Sequence, residues 1–322
     1  MLQSLADDEW VNKLKNVEIH WVNGPVSGVD GSPKKIRVAF VPAVKKRGKA
    51  PLGSLIISPG RTEYIEKYAE VIAEFTARGF AVLAVDQRGQ GLSDRLGAEY
   101  CYGHMDDFTL AAKHLADAIS QLESQLPKPH ILLGHSMGGA IGLEMLLQSF
   151  ALSIKAAVFS APMWGLDTHF YTETVCRVRS FFGKSGVSAE PKNKYWKPEI
   201  FETSEVTSDS RRFARNNAIL LANPEIQSGG ATNGWVKAAY DAMNSITADR
   251  LAKLDMPILV LSAAADTVVL PAQHARIAGL LPHAKLVSFP NAKHEILMET
   301  DDIRSKFWQV FDDWFAGLPL EP

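Results

Sequence analysis

Cysteine is scarce in this chain: the 322 residues hold two, Cys101 and Cys176, far apart in sequence. They form no metal-ligand spacing, so a cysteine-based metal centre is not expected. One disulfide stays open as an alternative to the reading taken here, two thiols in a reducing compartment. An excess of charge of either sign is also missing. A formal net charge of -2 gives no global attraction to nucleic acid. No run approaches the roughly 18 apolar residues of a spanning helix. The first ten residues carry Asp7, Asp8 and Glu9 and lack a basic region followed by an apolar core, so a secretory signal is not expected. The expected location is the cytoplasm, either free or peripheral to a membrane. At 46% hydrophobic and 22% charged, the chain is long enough for one large α/β domain with an insertion.

What is present centres on Gly134-His135-Ser136-Met137-Gly138, which follows the apolar run Ile131-Leu132-Leu133. A serine between two glycines, directly after a buried strand and before a helix, fits the G-x-S-x-G elbow that mounts a nucleophile. Ser136 would then stand at the start of a helix over 137–149, where free backbone N–H groups stabilise developing negative charge. A bare tight turn would not need Gly138, Gly139, Ala140 and Gly142 inside that helix.

Around the elbow, strand and helix patterns alternate. Residues 17–22 and 36–42 read as an antiparallel hairpin across a glycine-rich stretch. Further strands are expected over 54–58, 80–86, 131–133, 156–160, 257–262 and 285–289, with helices over 64–78 and 105–126. This rhythm implies a mostly parallel sheet covered on both faces. The interval 162–250 breaks it, with helical patterns at 210–222 and 235–245, and reads as a cap inserted between two core segments, 1–161 and 251–322. Among its large apolar side chains, Trp164, Phe170 and Trp235 are the candidates for lining a substrate pocket, the rest being core.

A serine nucleophile needs a base, and the base needs a carboxylate to orient it. In this architecture the chain order is Ser, then Asp or Glu, then His, each in a loop at the C-terminal edge of the sheet. Asp266 follows the strand at 257–262 and His294 the strand at 285–289. Asp167 is the alternative acid; His274 and His283 are the alternative bases, and His135 is expected to pack at the elbow. Two backbone donors would hold the oxyanion: the N–H of Met137 and that of Arg61 in the loop Pro59-Gly60-Arg61-Thr62-Glu63. The Arg61 side chain is expected to fold onto Glu63. His104, Asp106 and Asp107 lack a recognised metal-ligand pattern and read as capping or hydrogen-bonding residues, so neither metal nor organic cofactor is called for.

The elbow, the segment Asp86-Gln87-Arg88-Gly89-Gln90-Gly91-Leu92-Ser93, Ser160-Ala161-Pro162-Met163 and Ala292-Lys293-His294-Glu295-Ile296-Leu297-Met298-Glu299 together resemble the monoacylglycerol lipase and lysophospholipase branch of the serine α/β-hydrolases. Val206-Thr207-Ser208-Asp209, followed by Arg212-Phe213, resembles its bacterial lysophospholipase L2-like members. The resemblance implies an α/β-hydrolase fold, with Ser136 as nucleophile, His294 as general base and acid, Asp266 as its partner, and Arg61 and Met137 as oxyanion donors. The family's His-Gly reads Pro59-Gly60 here, so a contact from that histidine is lost while the backbone donor need not be.

The implied substrate is the carboxylic ester of a single-chain lipid, with no nucleic acid and no obligate protein partner. A short-chain carboxylesterase, an aminopeptidase and a non-catalytic ligand receptor are the alternatives. Arg177, Arg179, Arg211, Arg212 and Arg215 make the cap locally basic. They would either meet an anionic membrane or head group, or pair with acids such as Glu205 and Asp209 on a solvated face.

Overall fold

The computed structural model describes residues 1, 2, 5, 8–26, 33–45, 47–97, 103–148, 150, 152–169, 171–190 and 195–319; the expectations placed on Cys101 and Phe170 lie outside these. Eight strands run β1 Glu18–Val26, β2 Pro33–Val41, β3 Gly53–Ser58, β4 Phe80–Val85, β5 His130–His135, β6 Ile154–Ser160, β7 Ile258–Ala263 and β8 Ala284–Phe289. They form one sheet in the order β1-β2-β4-β3-β5-β6-β7-β8. β1 pairs with β2 and β2 with β4 antiparallel, and every later pairing is parallel.

Ten α-helices accompany the strands among the described residues: α1 Glu9–Lys13, α2 Ala69–Arg78, α3 Phe108–Leu122, α4 Met137–Leu147, α5 Thr172–Arg179, α6 Ser210–Ala222, α7 Asn233–Asn244, α8 Ala248–Leu251, α9 Pro271–Ala278 and α10 Asp301–Ala316. The expected helix over 64–78 opens as a 3-10 turn, Ile65–Tyr68, before α2 begins. The helix expected from residue 105 starts at Phe108 because the Asp107 carboxylate caps it, accepting from the amides of Thr109 at 2.7 Å and Leu110 at 3.2 Å.

All residues of β3, β4, β5 and β7 are buried, which is why these strands read as continuous apolar runs rather than alternating ones. Their side chains still sort by parity. Leu55, Ile57, Ile131, Leu133 and Leu259 pack with α2 and α10, whereas Ile56, Leu132, Phe159 and Val260 pack with α3, α4 and α9.

Between β6 and β7 the chain leaves the sheet and returns at Ile258, carrying α5 to α8. Its attachments differ. α7 joins the apolar core through Trp235, Val236 and Ala239, and the Trp235 ring sits edge-on to Phe108 with centroids 6.3 Å apart. α6 is tied down by charge as well: Arg212 pairs with Glu70 and Asp209, and Arg215 with Asp8 at 2.8 Å. The five-residue π turn after α5, Ser180–Lys184, leaves Phe181 84% and Phe182 72% exposed.

Candidate active site

The elbow forms where β5 ends and α4 begins. Ser136 is the residue between them and holds φ 49°, ψ -121°, a conformation that L residues rarely adopt. The strain is held in place from below: a Cβ on Gly138 would run into the carbonyl oxygens of Ser58 and Pro59, so only glycine lets α4 come this close to β3. Ser136 is 7% exposed, and its amide donates to the Ser160 carbonyl at 3.1 Å.

Ser136, Asp266 and His294 come together at the C-terminal edge of the sheet. Ser136 Oγ lies 2.8 Å from His294 Nε2, and Asp266 Oδ2 lies 2.7 Å from His294 Nδ1. The second Asp266 oxygen accepts from the amides of Val268 at 2.8 Å and Val269 at 3.1 Å. Burial alone would raise the Asp266 pKa, but the His294 hydrogen bond and charge, with these two amides, outweigh it and hold the pKa below the usual carboxylate value. A carboxylate fixed in this way favours the His294 tautomer with the proton on Nδ1, leaving Nε2 free to accept from the serine hydroxyl.

The competing residues stand elsewhere. Asp167 is exposed. His274, on α9, is bound to Ser262 at 2.9 Å and to the Pro162 carbonyl at 2.8 Å. His283 meets Asp255 at the surface. His135 packs behind the trio, its Nδ1 3.0 Å from the Ser160 carbonyl and its ring centroid 4.9 Å from that of His294.

The loop 59–63 is clamped from two sides. Gln90 Nε2 donates to the Gly60 carbonyl at 3.0 Å, and Gln90 Oε1 accepts from the Thr62 amide at 2.7 Å, so one side chain brackets Arg61. Glu63 accepts from the Gly60 amide and from Tyr68 Oη at 2.6 Å. The Gly60 amide is thereby occupied. At the other end of the site, the Met137 amide belongs to the first turn of α4, where N–H groups have no intrahelical acceptor.

Behind this loop lies a buried charge cluster. Lys67 Nζ is 2.9 Å from Glu63 and 2.6 Å from Glu295. Burial pushes the Glu63 pKa up, but Lys67, aided by His135 and Tyr68, brings it down to about 2. Glu63, His135 and Glu295 converge closely enough to suggest a cation site, and the Lys67 ammonium already supplies the cation there.

Sequence reasoning misplaced the Arg61 side chain. Glu63 turns inward to Gly60, Tyr68 and Lys67, so Arg61 does not fold onto it. Instead Arg61 Nη2 donates to the Gly229 carbonyl at 2.6 Å, and its guanidinium carbon lies 5.2 Å from the Trp235 ring centroid. Trp164 also differs from expectation. It is 2% exposed, packed between Phe159 and His274 in the core, and is not among the residues that line the catalytic cavity. Trp235 does line it, and its indole N–H reaches Met137 Sδ at 3.4 Å.

The cavity over Ser136 has about 200 Å³; beyond Ser136, His294 and the loop 60–63, its walls include Met163, Leu166, Val206, Val268 and Val269. Only the burial of an apolar residue next to a catalytic loop could have signalled these, and the sequence does not show burial. A polar compartment of about 430 Å³ adjoins it, sharing Arg61, Thr62, Val206 and Glu295. A larger cavity, about 630 Å³ and lined by Phe40, Val44, Leu52 and Arg78, shares no residue with either.

His104 and Asp107 serve local structure: His104 Nδ1 is 2.7 Å from Thr232 Oγ1, and Asp107 caps α3.

Residues 49–301 match the profile of the family described as serine aminopeptidase, S33. The chain belongs to this family of α/β-hydrolases. It is 32% identical over 282 residues to lysophospholipase L2 of Escherichia coli, covering 81% of this chain and 79% of that protein. It is 30% identical over 253 residues to the probable lysophospholipase L2 of Haemophilus influenzae, covering 78% and 79% respectively. A soluble variant of monoglyceride lipase from Saccharomyces cerevisiae, solved with a substrate analog, shares the fold with a TM-score of 0.70 at 18% identity, over 91% of this chain and 95% of that one.

Proposed function

We propose that this protein hydrolyses the carboxylic esters of single-chain lipids, a lysophospholipid or a monoacylglycerol, through an acyl-enzyme on Ser136. The observation that carries the reading is the relay from Asp266 through His294 to a strained, cavity-facing serine. The named relatives support the lipid class. Ser136 Oγ attacks the ester carbonyl as His294 Nε2 takes its proton. Negative charge then develops on the carbonyl oxygen against the amides of Met137 and Arg61. Collapse expels the alcohol, protonated by His294, and water repeats the two steps on the acyl-enzyme.

Residues 162–250 act as the cap in this reading. A cavity of about 200 Å³ is smaller than the roughly 300–1,000 Å³ typical of ligand pockets, so a long acyl chain requires the cap to move. Each methylene buried on that path contributes about 0.8 kcal/mol, which sets a chain-length preference. Phe181 and Phe182 are the membrane-facing part of the cap. The basic residues are not, because Arg177, Arg211, Arg212 and Arg215 pair with carboxylates; Asp209 is among these partners. No helix of the described residues is long and apolar enough to cross a membrane. A cytoplasmic, peripheral location suits a chain whose Cys176 is a buried free thiol.

The test is hydrolysis of p-nitrophenyl esters of increasing acyl length, a lysophospholipid, a monoacylglycerol and an aminoacyl amide. Turnover rising with chain length and extending to a lipid supports the reading. Turnover confined to short esters replaces it with a general esterase, and turnover confined to the amide replaces it with a peptidase.

A further inference from the structure

We propose that the polar compartment beside the catalytic cavity is a head-group subsite for a singly charged phosphodiester, anchored by the Arg61 guanidinium. One residue would then hold the ester carbonyl through its amide and the phosphate through its side chain. This deepens the lipid-esterase reading, on which it rests.

Several other arginines largely withdrawn from solvent are matched with acids. Arg37 is held by Asp86 at 2.7 Å and by both oxygens of Glu66 at 2.7 and 2.9 Å. Arg212 meets Glu70 at 2.5 Å and Arg215 meets Asp8 at 2.8 Å. Arg61 is half-buried, with no carboxylate in ion-pair contact among the described residues. Its strong contact is the neutral Gly229 carbonyl, and its Nε has no partner. Burial lowers its pKa to about 10, with the Glu190 charge acting against the shift, so the group stays charged at neutral pH. A cation drawn away from water with no carboxylate in contact is costly to maintain, and part of the cost is recovered when an anion binds. The planar guanidinium fork suits phosphate oxygens in particular.

The compartment contains both Arg61 and its partner Gly229, with Asn216 and Asn217 as neutral hydrogen-bonding groups on its wall. Its cations are Arg61, Lys67 and Lys197, and its acids are Glu199 and Glu295. Lys67 is already engaged by Glu63 and Glu295, and Lys197 is exposed, which leaves the half-buried Arg61, whose Nε lacks a partner, as the cation open to an incoming group. The span also fits. From the ester carbon through glycerol to phosphorus is roughly 6–7 Å, about the reach of an arginine side chain from its own backbone, given bond lengths near 1.5 Å. The catalytic cavity and the polar compartment share Arg61 on their walls.

The experiment pairs kinetics with binding. A lysophosphatidylethanolamine and a monoacylglycerol of the same acyl chain are compared on wild type and Arg61→Met, and binding of glycerophosphoethanolamine and of inorganic phosphate is measured by calorimetry. Arg61→Met is expected to lower kcat/KM for the lysophospholipid about 10- to 100-fold more than for the monoacylglycerol, the size of a charge-assisted hydrogen-bonded contact, mostly through KM. Glycerophosphoethanolamine should bind wild type and lose that binding in the variant. Equal losses on both lipids, or no binding of glycerophosphoethanolamine to wild type, overturn the proposal. Inorganic phosphate binding as tightly as the diester overturns the head-group assignment. If Arg61→Met fails to fold, wild-type binding decides alone. Absent ester turnover by wild type instead removes the esterase reading, which the calorimetry does not depend on.

Discussion

The parallel strands and the excursion between β6 and β7 are held by different forces. In β3, β4, β5 and β7 every residue is buried, so any displacement opens a cavity or strands a polar group. The excursion is anchored by apolar contacts of α7 and α6 and by arginine pairs along α6, and it leaves Phe181 and Phe182 in solvent. On the proposed reading, the reacting groups come from the ends of the buried strands, whereas the cavity wall draws Met163, Leu166, Val206 and Trp235 from the excursion. The division shows how chemistry can stay fixed while the shape of the pocket changes.

Substitutions can test that contrast. Replacing the nucleophile, Ser136→Ala, should cost at least about 10⁴-fold in kcat on a p-nitrophenyl ester while leaving the melting temperature unchanged within error, because the Cβ and the backbone stay in place. A melting temperature that collapses would mean the hydroxyl is structural. Next, Asp266→Asn should lower kcat by about 10⁴-fold at nearly constant KM, through loss of the His294 tautomer. A change confined to KM would assign Asp266 to binding.

Lys67→Met probes the rigid part directly. It strands Glu63 and Glu295 without their cation, and chemical denaturation should show a loss of about 3–5 kcal/mol. A loss below about 1 kcal/mol, the range of surface pairs, would show that water reaches the cluster. The acid limb of the stability profile follows from the same cluster. Because the folded Glu63 pKa is depressed to about 2, its contribution is present above its unfolded value of about 4.3 and is lost as pH falls between the two. Glu63→Gln should flatten that limb between about pH 4 and 2, read by denaturation at each pH; an unaltered limb would remove Glu63 from the acid response.

The smallest effect is expected in the excursion. Phe181→Ser with Phe182→Ser should reduce binding to vesicles of zwitterionic lipid several-fold by sedimentation, with turnover of short soluble esters kept. Unchanged sedimentation would detach these rings from the membrane reading.

Legibility in the sequence follows the same division. Ser136, Asp266 and His294 each sit one loop beyond a buried strand, and a strand of known direction fixes the edge to which its successor is delivered. Strand, elbow and chain order were therefore readable without coordinates. Trp164 was not, because an aromatic residue just after β6 can face the cavity or the core, and only its packing with Phe159 and His274 decides. The Arg61 side chain was misread for a related reason. Glu63 is its sequence neighbour, but Lys67 and Tyr68, one turn further on, draw that carboxylate inward. The cavity walls at Leu166 and Val206 depend on where the excursion comes to rest, and local pattern does not carry that.

The bracket that Gln90 places around Arg61 has a kinetic consequence. The Gly60 carbonyl and the Arg61 amide belong to one peptide plane, so a donor on the carbonyl fixes the direction of the amide and strengthens it as a donor. The proposed oxyanion donor is then set before any ligand arrives. A boronate or phosphonate that carries tetrahedral negative charge would dock in a single exponential phase, with no slow tightening to follow.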